Sequence, residues 1–367
     1  MKAVLHVTGG CNLRCRYCYV GDKTSARMPP DVARAAVDLV ADNADPRFTV
    51  SFMGGEPLLE YDLVRDTVDH AEQVAKDRGK GVSFRMTTNG LLFDDERLEW
   101  CRRHKVLFAL SLDGDEKSHD ANRVTTAGRG SHAQLMARLE AIQRRALVLI
   151  VITVVTPATA ENLGPAVAYL FAHGIDKVIL SPDFGGEWDR AALRRLERGY
   201  KQIAEDYIAR HRRGEEIYFS TFDEKIRTHA LGPVRRGVVC DMGSTSFSVA
   251  PSGEIYPCVQ FVRPETDLRF RIGDVRNGFD STKRWELVEL NRKPRPKCEG
   301  CDLDGRCSNW CGCVNHRTTG DVCEVPPFLC EHERMAMPIA DHVGNVLHAE
   351  RNEIFLRKFY QDHLEAH

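Results

Sequence analysis

Long apolar runs are missing from this chain. No stretch of its 367 residues is apolar for long enough to span a bilayer as a helix. Charge of one sign is missing too: 51 Lys and Arg against 53 Asp and Glu leave a net charge of −2 at pH 7. That balance provides no strong field for a nucleic acid or a membrane surface. The N-terminus carries no signal peptide, since strand-like residues begin at Lys2 with no cleavage site behind them. Tandem repeats and low-complexity segments are also absent. Cysteine, by contrast, is abundant: the chain has thirteen. Without an export signal these argue for metal ligation rather than a disulfide framework, and they fit a reducing, low-oxygen cytoplasm. The length suggests two domains, or one large and one small.

The chain is organised around Gly9–Tyr19, GGCNLRCRYCY, which places Cys11, Cys15 and Cys18 in a C-x3-C-x2-C spacing. Three thiolates this close can hold three irons of a cubane cluster. A [4Fe–4S] cluster needs four ligands, so one iron would stay open to something that is not protein. An open position is what makes a metal site catalytic rather than structural. Zinc is the competing reading, and it needs a fourth Cys or His nearby; His6, inside an apolar run, is the only neighbour of that kind. The spacing, with aromatic Tyr17 before the last cysteine, resembles the signature of the radical S-adenosylmethionine (SAM) superfamily. The resemblance implies that the open iron binds the amino and carboxylate groups of SAM. It also implies that the reduced cluster cleaves SAM to a 5′-deoxyadenosyl radical, which abstracts a hydrogen atom, and it places Tyr17 at the SAM site.

Periodicity supplies a frame for this loop. Apolar runs at Ala3–Val7, Phe48–Phe52, Val82–Met86, Val106–Leu112, Leu147–Val155 and Lys177–Leu180 read as strands. Helical patterns separate them, the first opened by Pro29–Pro30–Asp31 and the last a long polar helix over Asp189–Arg213. Six such alternations imply an α/β fold with a parallel sheet, a partial (β/α)6 TIM-type barrel whose chemistry sits at the C-terminal strand ends. The continuous apolar runs suggest strands covered on both faces. Beyond Gly232–Pro233 the alternation stops, and nine of the thirteen cysteines fall between Cys240 and Cys330. The expected organisation is a barrel over residues 1–232, a cysteine-rich domain over 233–335 and a helical segment over 336–367 packing back on the body.

Polar motifs fall at successive strand ends. Gly54–Gly55–Glu56–Pro57 follows the second strand; glycines allow close backbone approach and Glu56 can accept hydrogen bonds from a cationic amine. Thr87–Thr88–Asn89–Gly90 follows the third, and Ser111–Leu112–Asp113–Gly114 the fourth, with Arg123 beyond it. An arginine there can hold a carboxylate as a bidentate pair. These segments resemble SAM contacts of the superfamily's peptide-modifying branch, which implies SAM-binding roles for Gly54, Gly55, Glu56, Thr88, Asn89, Ser111 and Arg123. Each alone is also readable as a turn, cap or surface residue. Asp183, just past the sixth strand, is a weaker candidate to face the substrate.

The second cysteine array runs Cys240, Gly253, Cys258, then Cys298-x2-Cys301-x5-Cys307-x3-Cys311, and Cys330. It resembles the SPASM domain, which typically holds two auxiliary [4Fe–4S] clusters, so the resemblance implies three clusters in all. Structural zinc sites are the alternative. By the family pattern, Cys298, Cys301, Cys307 and Cys330 hold the distal cluster, and Cys240, Cys258 and Cys311 hold three irons of the proximal one. The fourth proximal ligand is Cys313, Cys323 or none. Cys101, on a helix, reads as a packed small hydrophobe.

The resemblance implies a radical SAM/SPASM oxidoreductase of the kind that matures ribosomally made peptides, acting on a precursor peptide and forming a thioether or carbon–carbon crosslink. It further implies a flavodoxin- or ferredoxin-type electron donor. The chain leaves no room for an N-terminal peptide-recognition domain, so recognition falls to a separate protein or to the barrel and SPASM surfaces. Two other enzymes remain: an anaerobic sulfatase-maturating, formylglycine-forming enzyme and a small-molecule dehydrogenase or epimerase. The first uses an aspartate after the second ligand of the Gly-containing motif, where this chain has Val259–Gln260. An iron–sulfur or zinc protein without catalysis is disfavoured by the three strand-end motifs.

Overall fold

The computed structural model describes residues 1–233, 242–263 and 268–364. Its centre is a parallel sheet formed by β1 (Lys2–Thr8), β2 (Arg47–Gly54), β3 (Gly81–Thr88), β4 (Val106–Ser111), β5 (Ile150–Val155), β6 (Lys177–Pro182) and β7 (Tyr218–Phe219), which lie side by side in chain order. The sheet stays open, with β7 at one end. Helices cover its outer face. The Pro30–Asp42 helix starts with Pro at its first position and Asp31 in the first turn, both favourable at a helix N-terminus. Its Val32, Ala36 and Val40 are buried. Asp94, Asp115, Asp189 and Asp280 each cap a helix by accepting a backbone N–H.

Two sequence expectations need correction. The run from Leu147 to Val155 is not strand throughout: pairing with β4 begins at Ile150, and Leu147 and Val148 are 52% and 38% exposed in the preceding loop. Nor are all strands buried on both faces. Successive residues in β4, β5 and β6 alternate between buried and half-buried. The half-buried face includes Ser111, Ile152, Val154 and Ser181, which line an interior cavity.

Regular structure also continues past Gly232. β8 (Ser246–Val249) pairs in parallel with β1, on the side away from β2. β9 (Glu254–Tyr256), β10 (Gly273–Asp274) and β11 (Gly278–Phe279) then add antiparallel, so one sheet of eleven strands runs through both halves of the chain. The Pro327–Ala349 helix packs against the helices Arg190–Arg212 and Ser220–Leu231, burying Val343 and Leu347. It passes residue 336 without a break. Cys101 is buried on the Asp95–Arg103 helix, packed as expected. Among the described residues no helix is long and apolar enough to cross a membrane.

β1 is thus the strand on which both halves meet. Leu5 lies opposite Phe52 of β2 and Val249 of β8, and all three are fully buried. Leu5→Ala removes that packing and is expected to lower the unfolding free energy by about 2–5 kcal/mol. Anaerobic denaturant titration measures it, and a loss below about 1 kcal/mol would contradict this central role.

Candidate active site

The cavity at the C-terminal strand ends is about 340 Å³. The loop after β1 brings Cys11, Cys15 and Cys18 to its lining, together with Tyr17. Gly54, Gly55 and Glu56 from the end of β2, Thr88 and Asn89 from β3, Ser111 from β4 and Arg123 line it too. Every residue named above for the first cluster and SAM therefore faces one space.

Backbone contacts fix the cysteine loop. The Gly55 N–H donates to Thr8 O (2.8 Å) and the Glu56 N–H to Gly10 O (2.9 Å), stitching it to the β2 end. A Cβ on Gly55 would stand 1.8 Å from Gly10 O, so only glycine permits this approach. On the other side the Arg14 and Arg16 N–H groups donate to Val124 O and Asn122 O, at 2.7 and 3.0 Å. The loop is held against the segment that carries Arg123.

Burial raises the Cys11 pKa to about 11 and also pushes Cys15 up. Such thiols ionise when a cation offsets the buried charge. Lys23 supplies one, its Nζ 2.8 Å from Cys18 Sγ; no motif marks Lys23, and the sequence reading missed it. Among the described residues the one group of three Cys, His, Asp or Glu side chains with ligand atoms within 4.8 Å of one another is Asp69, Glu72 and His104. The three sulfurs of this loop are therefore more widely spread than a single zinc with Zn–S bonds of about 2.3 Å would hold them. His6 is buried in β1 and burial lowers its pKa to about 3, so it stays neutral.

Glu56 and Arg123 are already engaged. The Glu56 carboxylate accepts from Leu58 N–H (3.1 Å), Thr88 Oγ1 (2.7 Å) and Asn89 N–H (2.8 Å). The Asn89 side chain in turn donates to Asn12 Oδ1 at 2.8 Å, inside the cysteine loop. Arg123 pairs with Asp113, Nη2 to Oδ1 and Nε to Oδ2, both at 3.0 Å, and both residues are buried. Asp113 also accepts from the Tyr17 hydroxyl (2.5 Å) and the Val154 N–H (2.9 Å). Arg123 lies 5.3 Å from the Tyr17 ring centroid. Asp113 is thus a site residue that sequence reading saw only as part of a turn.

The second cysteine array forms two groups. Cys313 Sγ lies 3.3 Å from Cys258 Sγ and 3.6 Å from Cys311 Sγ. The Cys313 thiol holds its proton against Cys311, which lowers the Cys311 pKa. Cys323 is elsewhere, donating to Leu290 O and receiving Arg295 Nη1, both at 3.4 Å. Cys298, Cys301, Cys307 and Cys330 line a separate cavity of about 120 Å³. Cys240 falls outside the described residues.

Glu56 generates a prediction. Burial raises its pKa from 4.5 to about 6, opposed by its three hydrogen bonds. The folded state therefore binds the proton more tightly, and stability from this group falls as pH rises from about 4.5 to about 6. The unfolding free energy of wild type minus that of Glu56→Gln should fall by about 2 kcal/mol as pH rises through that window. A pH-independent difference would contradict the assignment.

The matches to known proteins agree with this geometry. Residues 5–170 match the model of the radical SAM superfamily. A cysteine-type anaerobic sulfatase-maturating enzyme of Clostridium perfringens is 22% identical over 330 residues, covering 83% of this chain and 86% of that protein. The structure of native anSMEcpe with bound AdoMet superposes with a TM-score of 0.80 at 20% identity, over 95% of this chain and 100% of that one. SuiB of Streptococcus suis, bound to precursor peptide SuiA, gives 0.62 at 18% identity, over 90% and 75%. With its cysteine loop, open parallel sheet and strand-end motifs in one cavity, the chain carries a radical SAM domain over residues 5–170.

Proposed function

We propose that this protein is a SAM-dependent radical enzyme that modifies a peptide side chain. The observation that carries the reading is the convergence of the three thiols with the strand-end motifs on one cavity. The residues fit a [4Fe–4S] cluster with one open iron: three half-buried cysteines, a lysine at Cys18, and a close backbone approach of Gly55 to Gly10 that holds the cysteine loop in place. When bound, the reduced cluster and SAM together supply a 5′-deoxyadenosyl radical that removes hydrogen from the substrate.

The chain's own residues orient and enclose. Cys11, Cys15 and Cys18 hold three irons. Gly54 and Gly55 would admit SAM close to the backbone, and Glu56 would offer its remaining acceptor capacity to the SAM amine. Asn89 ties this wall to the cysteine loop. Arg123, fixed by Asp113, contributes a positive potential rather than a freely swinging clamp. Phe184, Val259 and Val314 line the cavity with apolar surface that keeps water from the reacting carbon. Glu56 and Asp183 are the acids among the described lining residues. Because Glu56 is triply hydrogen-bonded, Asp183 is the group placed to take a proton from the substrate.

Peptide modification is supported by the names of the matched proteins, the C. perfringens sulfatase-maturating enzyme and SuiB with its precursor peptide. Between products we favour a crosslink, because Val259 and Gln260 stand where the sulfatase-maturating pattern has an aspartate, and both line the cavity without an acid. Formylglycine formation is the second reading, favoured by the breadth of the match to those enzymes. The C-terminal cysteines are read as two auxiliary clusters in a SPASM domain. Cys298, Cys301, Cys307 and Cys330 form the distal set, and Cys258, Cys311 and Cys313 belong to the proximal set with Cys240. A flavodoxin- or ferredoxin-type protein would supply electrons.

Anaerobic reconstitution tests the reading. About twelve irons per chain, the content of three cubanes, and 5′-deoxyadenosine from SAM plus dithionite are expected. Bound zinc, or no SAM cleavage by loaded protein, would return the cysteines to a structural role. Sulfatase-derived Cys and Ser peptides separate the product classes by mass: formylglycine in either one sinks the crosslink preference. For the proximal site, Cys313→Ala is expected to lower iron content and change the electron paramagnetic resonance of the reduced protein, whereas Cys323→Ala leaves both as they were. The reverse pattern would make Cys323 the ligand.

A further inference from the structure

Most charged groups around the cavity pair with one another, but one wall does not. Lys23 is held at Cys18 and Arg123 at Asp113. Arg317, on the Gly312–Thr319 helix, lines the same cavity and has neither a hydrogen bond nor an ion pair among the described residues. Two further lining residues, Tyr19 and Gln260, have polar atoms in the same condition: the Tyr19 hydroxyl and Gln260 Oε1 are buried with no hydrogen-bond partner.

Tyr19 follows Cys18 in the cysteine loop, whereas Arg317 lies away from the glycine and asparagine motifs. Arg317 Nη2 and Asp183 Oδ1 each stand 3.6 Å from where a Cβ on Gly185 would sit, so Arg317 is beside the end of β6. Gly54, Gly55 and Asn89 belong to the ends of β2 and β3, and β4 and β5 intervene in the sheet. A buried polar group without a partner costs about 1–3 kcal/mol. Unpartnered groups gathered in one cavity therefore point to a ligand that completes them. Their chemistry defines it. A guanidinium only donates, a phenol donates or accepts, and an amide oxygen accepts. The complement is a carboxylate with an N–H group beside it.

We propose that Tyr19, Gln260 and Arg317 form a subsite for a carboxylate of the peptide substrate, with Gln260 Oε1 accepting an adjacent backbone N–H. The inference rests on the peptide reading above and narrows it to peptides with an acidic side chain, or a C-terminal carboxylate, near the modified residue.

Three fluorescein-labelled synthetic peptides test it: Ala-Ala-Cys-Glu-Ala amide, the same peptide with Gln for Glu, and Ala-Ala-Cys ending in a free carboxylate. Binding to cluster-loaded protein with SAM and no reductant is followed by fluorescence anisotropy. At least one carboxylate peptide should bind about tenfold more tightly than the Gln peptide, the weight of one charge-assisted pair. Which of the two binds more tightly identifies the source of the carboxylate. The preference should vanish in Arg317→Gln, return in part in Arg317→Lys and weaken in Tyr19→Phe, with iron content reporting that each variant is intact. Equal binding of all three peptides, or no binding of any, overturns the proposal. So does a preference that survives Arg317→Gln, or a variant that loses SAM affinity while keeping peptide discrimination. Release of 5′-deoxyadenosine by the same preparation on adding dithionite separately reports whether the radical SAM reading stands.

Discussion

The buried ion pair of Asp113 and Arg123 is the constraint on which the cavity depends. Asp113 leaves β4, accepts a backbone N–H from β5, holds the Tyr17 hydroxyl of the cysteine loop and neutralises Arg123. Four segments far apart in sequence are therefore fixed by one carboxylate. Removing one member of such a pair costs about 3–5 kcal/mol, since the other is left charged and buried. Here the loss would fall on the cysteine loop, whose backbone leans on the residues flanking Arg123. Asp113 acts as a positioning residue: its own contacts are all protein groups, and what it orders is the loop that carries the thiols.

The same logic divides the cavity. On the side of β1 to β4, polar groups are paired within the protein, and burial shifts the thiols of Cys11 and Cys15 upward. Buried thiols of this kind ionise when positive charge offsets them; Lys23 supplies part of it, and a metal would supply the rest. On the side of β6 and the Gly312–Thr319 helix, donors and an acceptor remain unpaired. The two sides therefore differ: on one the polar groups are paired within the protein, and on the other Tyr19, Gln260 and Arg317 are the groups of the carboxylate subsite proposed above.

How much of this was legible in the sequence follows from the range of the interactions. The cysteine loop and the three strand-end motifs are local signals, each a turn closing a strand, and all were readable. β1 to β6 were readable because apolar residues recur regularly. β8 to β11 were not: strands of two to four residues have no periodicity, and their existence depends on pairing with β1 and with one another. The exposed Leu147 and Val148 misled because an apolar run says nothing of where pairing starts. Asp113 was visible only as a turn residue because its partners lie 10, 41 and 96 positions away. Cys313 and Cys323 are equivalent as text, and only the fold sets one sulfur beside Cys258 and Cys311 and the other beside a carbonyl.

The shared sheet also bears on how the two halves cooperate. Because β8 pairs directly with β1 and β9 with β8, the segment leading to Cys258 shares a sheet with the strand that launches the first cysteine loop. Phe184 stands at the other junction: it lines the main cavity and packs against the small apolar cluster that includes Cys298 and Cys307. Beside that cluster lies the Lys225–Glu333 pair, 2.6 Å apart, with side chains 5% and 2% exposed. Glu333 borders the Cys298 cavity, and Lys225 belongs to the Ser220–Leu231 helix that follows β7. Hydrogen bonding and net charge around the sulfurs set a cluster's potential. A cluster bound there as proposed would have the buried Lys225–Glu333 pair among the charges around it, and Phe184 joins its apolar surroundings to the cavity lining.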